Sequence, residues 1–429
     1  MALTRRALLR SAAAAGAALA GGAGLAGCGD FGAGEPSDEM TLWYWAGSLS
    51  ESVLDDEEKR LARHGLNLVR SAIGGDYRTK FLTTLAGRAA VPDIAGMNSD
   101  VATYFPDADQ FVDLRTLGAG KLANQYLTWK WKQGITPDGR MIAFPMDTGP
   151  TALYYRTDLL AQAGLPSEPG EVAASIKTWD DWLAAGRTLK AKIPHCTPVD
   201  SLAYLFRMVL SSATSRYMDE NNRYIGDRGP TRYAWEICAK AAKDNLSAAA
   251  QFLATDWYAL ASAGRLPWFS GAVWVLNYLG PGAPKTTGKW RLTTAPGGPG
   301  NDGGSFLAIS KYCQHPEQAF AAITWMQDAR NQVRAFHDVN LFPSAPAAFT
   351  DPALHKPNAF FGGQRTIEVF AKAATKVPIC YLSPYDSIIN TIFDDELGKV
   401  ESQGKNPDQA WKDVQDQVAR ELEHRGVSS

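Results

Sequence analysis

Residues 40–100 read MTLWYWAGSLSESVLDDEEKRLARHGLNLVRSAIGGDYRTKFLTTLAGRAAVPDIAGMNSD, a stretch that alternates apolar runs with helical spacing. The apolar runs at 42–45, 67–73 and 91–97 have the length of strands. Amphipathic stretches with helix-like spacing lie between them. Strand, helix, strand, helix, strand is the pattern of a parallel α/β sheet. The stretch therefore predicts an α/β fold with its ligand site beyond the carboxyl ends of the strands.

Both helices of this stretch have a predicted start. Ser48 and Glu51 have the spacing of a capping box for a helix that runs to about Arg63. Asp76 can cap the next helix, which carries Tyr77 on its apolar face. These signals strengthen the helix-between-strands interpretation.

A second α/β region follows. Residues 141–155 form a long, mostly apolar run interrupted by Pro145 and Pro150, which predicts a broken strand that bridges two lobes. The other predicted elements are a helix at 179–192 capped by Thr178 with Asp181, strands at 268–279 and 305–309, a helix that begins at Pro316, and a C-terminal helix with Trp411, Val414, Val418 and Leu422 on one face.

The N-terminus has the order of an export signal. Arg5 and Arg6 precede an Ala/Gly-rich apolar stretch that ends at Leu25-Ala26-Gly27-Cys28. The paired arginines resemble a twin-arginine signal, and the last four residues resemble a bacterial lipobox. We expect residues 1–27 to be a lipoprotein signal peptide, Cys28 to be lipidated on the outer face of the membrane, and residues 28–39 to be a flexible tether. The alternative, an uncleaved anchor helix, is disfavoured because the stretch is shorter than ~20 residues and rich in glycine.

Composition narrows the class of function. The 43 basic and 45 acidic residues nearly balance, so no nucleic acid partner is expected. The 13 Trp suit a pocket that stacks on sugar rings as well as a core. Beyond Cys28 the cysteines are Cys196, Cys238, Cys313 and Cys380, whose spacing fits no metal site and leaves their pairing open, Cys196 and Cys238 being the nearest pair.

Catalytic and cofactor motifs are missing from the sequence. The six His show no paired metal-ligand spacing, and no Gly-x-Ser-x-Gly motif occurs. The Gly-rich runs at 118–121 and 297–304 lack the context of phosphate or dinucleotide loops. We therefore expect no metal, no cofactor and no enzymatic activity.

Five short segments occur in the order found in one protein family. They are Trp45-Ala46-Gly47-Ser48, Val91-Pro92-Asp93-Ile94, Phe144-Pro145-Met146-Asp147 with residues 154–160, Gly271-Ala272-Val273-Trp274, and residues 305–309 before His-Pro-Glu. Over nearly the whole chain after Cys28, the sequence resembles the family 1 extracellular solute-binding proteins, whose best-known relatives bind maltodextrins.

The resemblance implies a two-lobed, periplasmic-binding-protein-like α/β fold of type II. Each lobe would be a sheet flanked by helices, and the chain would cross between lobes three times, near 147–151, near 300–305 and shortly after Phe342. Lobe one would then comprise residues 40–147 and 303–345. Lobe two would comprise residues 148–302 and 346–429.

Ligand-binding candidates in the first lobe follow strand ends. Trp45, Gly47 and Ser48 follow the first strand, although strand core and helix cap are the alternatives for this group. Asn98 and Asp100 follow the third strand, and a helix N-cap is the alternative for Asp100. Sugars need such polar groups beside aromatic planes.

Further candidates lie at the crossing and in lobe two. Asp147 is an acid in an apolar segment and needs donors, which sugar hydroxyls, hinge amides or an Arg would supply equally. Trp274 is a candidate through the family resemblance, and a core residue without it. Gly363, Gln364 and Arg365 join a flexible backbone to an amide and a cation, with a plain turn as the alternative. Weaker candidates, each at least as readily core, are Tyr77, Tyr104, Trp257 and Tyr385.

The resemblance, together with these residues, implies a monomeric, extracellular binding component of an ABC importer. It would hold a neutral di- or oligosaccharide between the lobes and deliver it to permease subunits in the membrane. One alternative keeps the fold and changes the ligand to a polyol phosphate, polyamine or metal chelate, and an anionic ligand would need more Arg and Lys than the candidates supply. The other is a secreted glycoside hydrolase, which needs two carboxylates across a cleft.

Overall fold

The computed structural model describes residues 38–427, so the predicted signal peptide, Cys28 and most of the tether lie outside the described residues. Within 38–427 the chain forms ten strands. They are β1 (Glu39–Tyr44), β2 (Asn67–Ala72), β3 (Ile94–Met97), β4 (Phe144–Pro145), β5 (Asp147–Thr148), β6 (Thr151–Arg156), β7 (Trp268–Ala272), β8 (Trp290–Thr293), β9 (Phe306–Ile309) and β10 (Phe342–Pro343).

The same residues form fifteen α-helices, with several short 3₁₀ segments between them. The helices are α1 (Glu51–Ala62), α2 (Tyr77–Gly87), α3 (Thr128–Gln133), α4 (Thr157–Gln162), α5 (Pro169–Ser175), α6 (Trp179–Lys192), α7 (Leu202–Leu210), α8 (Gly229–Lys243), α9 (Thr255–Ser262), α10 (Leu276–Gly282), α11 (Pro316–Met326), α12 (Ala329–Val339), α13 (Thr366–Ala374), α14 (Asp386–Gln403) and α15 (Pro407–His424).

Two sheets organise the strands. The five-stranded sheet has the order β2-β1-β3-β9-β4, in which β1 is parallel to β2 and β3 while β9 is antiparallel to β3 and β4. The three-stranded sheet has the order β7-β6-β8 and is antiparallel. β5 and β10 form a separate ladder. The parallel start confirms the α/β pattern predicted from residues 40–100.

Each sheet is buried on both faces. In β6 all six residues are buried, and Leu153 with Tyr155 belongs to one apolar cluster while Ala152 with Tyr154 belongs to another. The five-stranded sheet likewise separates a cluster that contains α1 and α11 from one that contains α2. Alternate side chains of a strand point to opposite faces, so each sheet needs a helical layer on both sides.

The chain passes between the two sheets three times within residues 38–427. It leaves the five-stranded sheet after β4 and returns to it at β9, and after the β5–β10 ladder is completed at β10 it crosses a third time. After β10, Phe370 of α13 packs in the cluster of Tyr154, and Phe393 of α14 packs in the cluster of Tyr155. The C-terminal helices therefore cover the three-stranded sheet.

Several local predictions are confirmed. Asp76 caps α2 through the backbone N–H of Thr79, and Thr178 with Asp181 forms a full capping box on α6. α11 begins at Pro316, and α15 buries Val414, Val418 and Leu422. These signals succeed because cap and period are properties of a few neighbouring residues.

Other local predictions were wrong in detail. The cap of α1 is Ser50, which accepts from the backbone N–H of Val53, and Ser48 belongs to the preceding loop. The predicted strand 268–279 ends at Ala272 and continues into α10. The predicted strand 141–155 is divided into β4, β5 and β6, because Pro145 and Pro150 cannot donate to a ladder.

Candidate ligand-binding site

A cavity of about 270 Å³, called the main cavity below, opens beside the end of β3. Ser99, Asp100 and Thr103 line it on the side of the five-stranded sheet. Three other segments line the opposite side: α7, residues 301–303, and the start of α14. The carboxyl end of a parallel strand thus faces groups from the other half of the chain, as expected for a ligand site in an α/β fold.

Asp100 contributes a partly satisfied carboxylate to this wall. Its Oδ2 lies 2.7 Å from Nε of Arg78 on α2. Burial raises the pKa of the Asp100 carboxyl, and the nearby Arg78 guanidinium opposes this rise. Its Oδ1 is buried without a hydrogen-bond partner among the described residues, as is Oδ1 of the neighbouring Asn98. The helix N-cap considered for Asp100 is not observed, since its side chain forms no cap hydrogen bond to the 3₁₀ segment that follows.

Asp302 faces the cavity from the second passage between the sheets. Its Oδ1 accepts from Nε of Arg207, 2.7 Å away, while its Oδ2 is buried without a partner within the described residues. Nε1 of Trp274 donates to the backbone oxygen of Asp302 at 2.8 Å. Trp274 therefore positions the segment that carries Asp302 and remains partly exposed itself.

The start of α14 supplies a third polar group. Burial raises the pKa of the Asp386 carboxyl to about 6, against the opposing effect of Arg216. The hydroxyl of Tyr217 donates to Oδ1 of Asn390, whose Nδ2 donates to Asp394 at 2.7 Å. These side chains fix one another, so the wall presents a preset pattern of donors and acceptors.

The loop after β1 lies outside the lining of the main cavity. Trp45 contacts Tyr77 in a tilted arrangement, with 5.1 Å between ring centroids and 56° between ring planes, and remains partly exposed. The Ser48 hydroxyl donates to the backbone oxygen of Trp45 at 2.7 Å, which occupies it within the loop. Gly47 has a φ of +77°, so this turn favours glycine for backbone reasons.

Asp147 lies at the passage from β4 to β6 rather than on the main cavity. Its Oδ1 accepts from the backbone N–H of Ser305 at 2.7 Å. Lys130, fully buried on α3, is the nearby cation, and burial lowers the pKa of its amine to about 7 while Asp147 opposes this. Of the donors considered for Asp147, a hinge amide is the one observed.

Gly363, Gln364 and Arg365 form a turn beside β8, away from the main cavity. The Gln364 amide donates to and accepts from the backbone of Leu292, both at 2.7 Å. Arg365 is exposed, 3.5 Å from Glu368. These three residues therefore form a turn, the alternative considered for them, and do not line the main cavity.

The weaker candidates are core residues. Tyr77, Tyr104 and Trp257 are buried in apolar clusters, and Tyr385 packs at the edge of one. The residues that the sequence interpretation missed are Arg207, Arg216, Tyr217, Asp302, Asp386 and Asn390. One signal could have found Arg207, since it is the lone charge on the otherwise apolar helix LAYLFRMVL.

No metal cluster or disulfide is present in residues 38–427. Cys196, Cys238, Cys313 and Cys380 are free, so the pairing left open from sequence does not occur here. No group of three or more His, Cys, Asp or Glu side chains within this range could hold a metal ion. Among the helices of the same range, none is both long and apolar enough to cross a bilayer.

Comparisons with known proteins agree on the fold. A crystal structure of an extracellular solute-binding protein of family 1 is 29% identical, with a TM-score of 0.84 over 89% of this chain and 99% of that one. The lactose-binding protein of Rhizobium radiobacter is 25% identical over 404 residues, which cover 90% of this chain and 93% of the relative. The arabinooligosaccharide-binding protein of Halalkalibacterium halodurans is 23% identical over 355 residues, which cover 78% and 73%.

The fold is the two-lobed α/β fold of periplasmic binding proteins. The model of the bacterial extracellular solute-binding protein family matches residues 69–333, more than half of the chain. The family implies an extracytoplasmic location. This chain belongs to the bacterial extracellular solute-binding protein family.

Proposed function

We propose that the protein is the sugar-capturing component of an ABC importer and binds a neutral di- or oligosaccharide in the main cavity. The observation that carries this is a pair of carboxylate oxygens on opposite walls, Oδ1 of Asp100 and Oδ2 of Asp302, which have no hydrogen-bond partner within residues 38–427. A buried acceptor without a donor costs free energy, so the ligand should supply O–H groups.

The charges of the wall favour a neutral ligand. Asp100 is paired with Arg78, and Asp302 is paired with Arg207. Asp386 lies near Arg216, whose guanidinium opposes the rise of its carboxyl pKa. An anionic solute would meet three carboxyls and a polyamine would meet three guanidinium groups, so both charged alternatives are disfavoured.

The two relatives support a saccharide ligand, since their names specify lactose and arabinooligosaccharide. For the lobes, sheet membership supports 40–147 with 303–345 as lobe one and 148–302 with 346–429 as lobe two. Ligand held by one lobe would draw in the other by hinge closure, and permease subunits would recognise the closed monomer. No bond of the sugar is made or broken in this scheme.

A thermal-shift screen of the mature protein against neutral saccharides, anionic sugars and polyamines tests the proposal. A neutral saccharide at ~100 times its Kd should stabilise the fold by ~2.7 kcal/mol. Asp302→Asn should weaken this shift, whereas Asp416→Asn, at an exposed position on α15, should leave it unchanged. Stabilisation by charged solutes alone, or release of shorter sugars, would contradict the proposal.

We also propose that the mature protein is anchored through a lipid on Cys28. The Leu-Ala-Gly-Cys sequence at 25–28 supports this. Cys28→Ala should release the protein from the membrane fraction into the medium when the gene is expressed with its own signal. Equal membrane retention of parent and variant would refute the anchor.

A further inference from the structure

A second cavity of about 420 Å³, called the side cavity below, lies next to the main cavity. Gln133 and Leu382 line both cavities. The two cavities therefore adjoin at these two side chains, and this boundary is called the neck below. The main cavity alone, at about 270 Å³, lies just under the ~300–1,000 Å³ typical of small-molecule sites.

An irregular segment, residues 377–383 between α13 and α14, forms one wall of the side cavity. Leu382 packs at the edge of the cluster that contains Tyr77 and Phe81 on the five-stranded sheet. Tyr381 packs at the edge of the cluster that contains Tyr155 on the three-stranded sheet. The segment therefore contacts both halves of the molecule where the two cavities meet.

The side cavity differs in chemistry from the main cavity. Its walls include two partly buried rings, Phe105 and Tyr381, and Ile379, which is 48% exposed. The Tyr381 hydroxyl donates to Asn222 at 3.2 Å, and this contact restrains the ring. Its charged lining consists of one cation, Lys132, and one anion, Glu220.

Apolar surfaces with restrained rings suit the C–H faces of a sugar. Balanced single charges and amides suit neutral hydroxyls. The main cavity instead offers paired carboxylates, which suit a ring held firmly by hydrogen bonds. The two cavities thus fit different parts of one elongated ligand.

We propose that the side cavity continues the sugar site and holds the additional units of a neutral oligosaccharide of three or more residues. This rests on the proposed function, and it adds the length of the substrate. The main cavity would bind the units that the carboxylates fix, while Phe105 and Tyr381 stack on those beyond the neck.

Calorimetric titration of the purified protein with a di-, tri- and tetrasaccharide of one series, the one that stabilises it, tests the proposal. We expect the trisaccharide to bind about threefold to tenfold more tightly than the disaccharide, because one ring contact has roughly this value. Tyr381→Ala should remove this increment, the gain in affinity from disaccharide to trisaccharide, and leave the disaccharide affinity unchanged. Tyr233→Ala, at an exposed tyrosine of α8 that lines neither cavity, should preserve both values.

Ile379→Asp provides a second variant at an exposed position and should also remove the increment without affecting the fold. Equal affinity for all three lengths would overturn the proposal, as would an equal loss of di- and trisaccharide affinity in both variants. Absence of binding by any saccharide would instead overturn the proposed function on which it rests.

Discussion

The first and second passages between the sheets each carry an aspartate, half-buried Asp147 and buried Asp302, and the two carboxyl groups have different partners. Asp147 on the first passage accepts from the backbone of Ser305 and lies near the buried Lys130. Asp302 on the second pairs with Arg207 at the cavity wall and keeps one oxygen without a partner among the described residues. A carboxylate satisfied by backbone stabilises the fold, whereas one with an unused oxygen can serve a ligand.

The two passages lie side by side, so this difference does not come from location alone. The backbone N–H of Asp302 donates to the oxygen of Gly149 at 2.8 Å. A Cβ on Gly149 would lie 2.0 Å from the Asp302 oxygen, so the close approach requires glycine. The hydrogen-bond partners of the two carboxyl groups therefore distinguish the structural role of Asp147 from the ligand-facing role of Asp302.

The largest expected effect is on stability, at Asp147. Asp147→Ala removes the acceptor of the Ser305 backbone N–H and the carboxylate that opposes the lowering of the pKa of the buried Lys130 amine. We expect the free energy of unfolding to fall by about 3 kcal/mol, because the backbone N–H of Ser305 loses its acceptor and the buried Lys130 amine loses its neighbouring carboxylate. Chemical denaturation measures this.

A double variant controls for the cause of that loss. Lys130→Met with Asp147→Leu removes both charges and should recover most of the stability, because no buried charge is left alone. A single Asp147→Ala loss below about 1 kcal/mol would contradict the structural role of Asp147.

For Asp302 we expect a large effect on saccharide binding and a small effect on stability. Asp302→Asn removes a charge-assisted acceptor from the cavity wall, so saccharide binding should weaken by about 1.5–3 kcal/mol, more than tenfold. The melting temperature should change far less than in Asp147→Ala. Calorimetric titration beside thermal unfolding measures both, and unchanged affinity would show that Asp302 does not face the sugar.

Asp200 extends the comparison, because no cation in the described part of the chain forms an ion pair with it. Burial raises the pKa of Asp200 to about 7, and it accepts from Nε1 of Trp257 at 3.0 Å. Because the folded-state pKa lies above the unfolded value, the unfolded state binds fewer protons between about pH 4 and 7. Stability relative to Asp200→Asn should thus fall by up to about 1.4 kcal/mol per unit as pH rises through this window. Parallel denaturation curves at pH 4 to 8 check this, and a constant difference would contradict it.

The smallest expected effect concerns Trp274. Trp274→Phe keeps an aromatic ring and removes the Nε1 hydrogen bond to the backbone of Asp302. A single hydrogen bond of this kind contributes about 0.5–1.5 kcal/mol. We expect a loss of stability of that size with a modest loss of saccharide affinity. A larger loss of affinity than in Asp302→Asn would mean that the indole itself binds the ligand.

The fold was largely predictable from sequence because its signals are local. Apolar runs and caps at Asp76 and Thr178 lie within a few residues of what they determine. The position of Asp100 on the main cavity was predictable for a similar reason, since a polar residue after a parallel strand lies at the edge of the sheet where ligand sites form. Ser48 failed as a cap because Ser50 competes for the same role two residues later.

Most of the cavity wall was not predictable, because long-range packing assembles it. Arg207, Asp302 and Asp386 lie on segments far apart in sequence, and no local pattern connects them. Gln364 shows the converse, since an amide beside two glycines looked available yet is used by the backbone of Leu292. Sequence gives the type of a polar group, whereas its partners depend on the folded structure.

The most direct test of the account is calorimetric titration of the purified protein with neutral oligosaccharides, followed by analysis of the recovered sugar. We predict saturable binding of one saccharide class, recovery of the sugar intact, and a loss of affinity in Asp302→Asn that Asp416→Asn does not share. Binding of charged solutes alone, or cleavage of the sugar during the titration, would contradict the account.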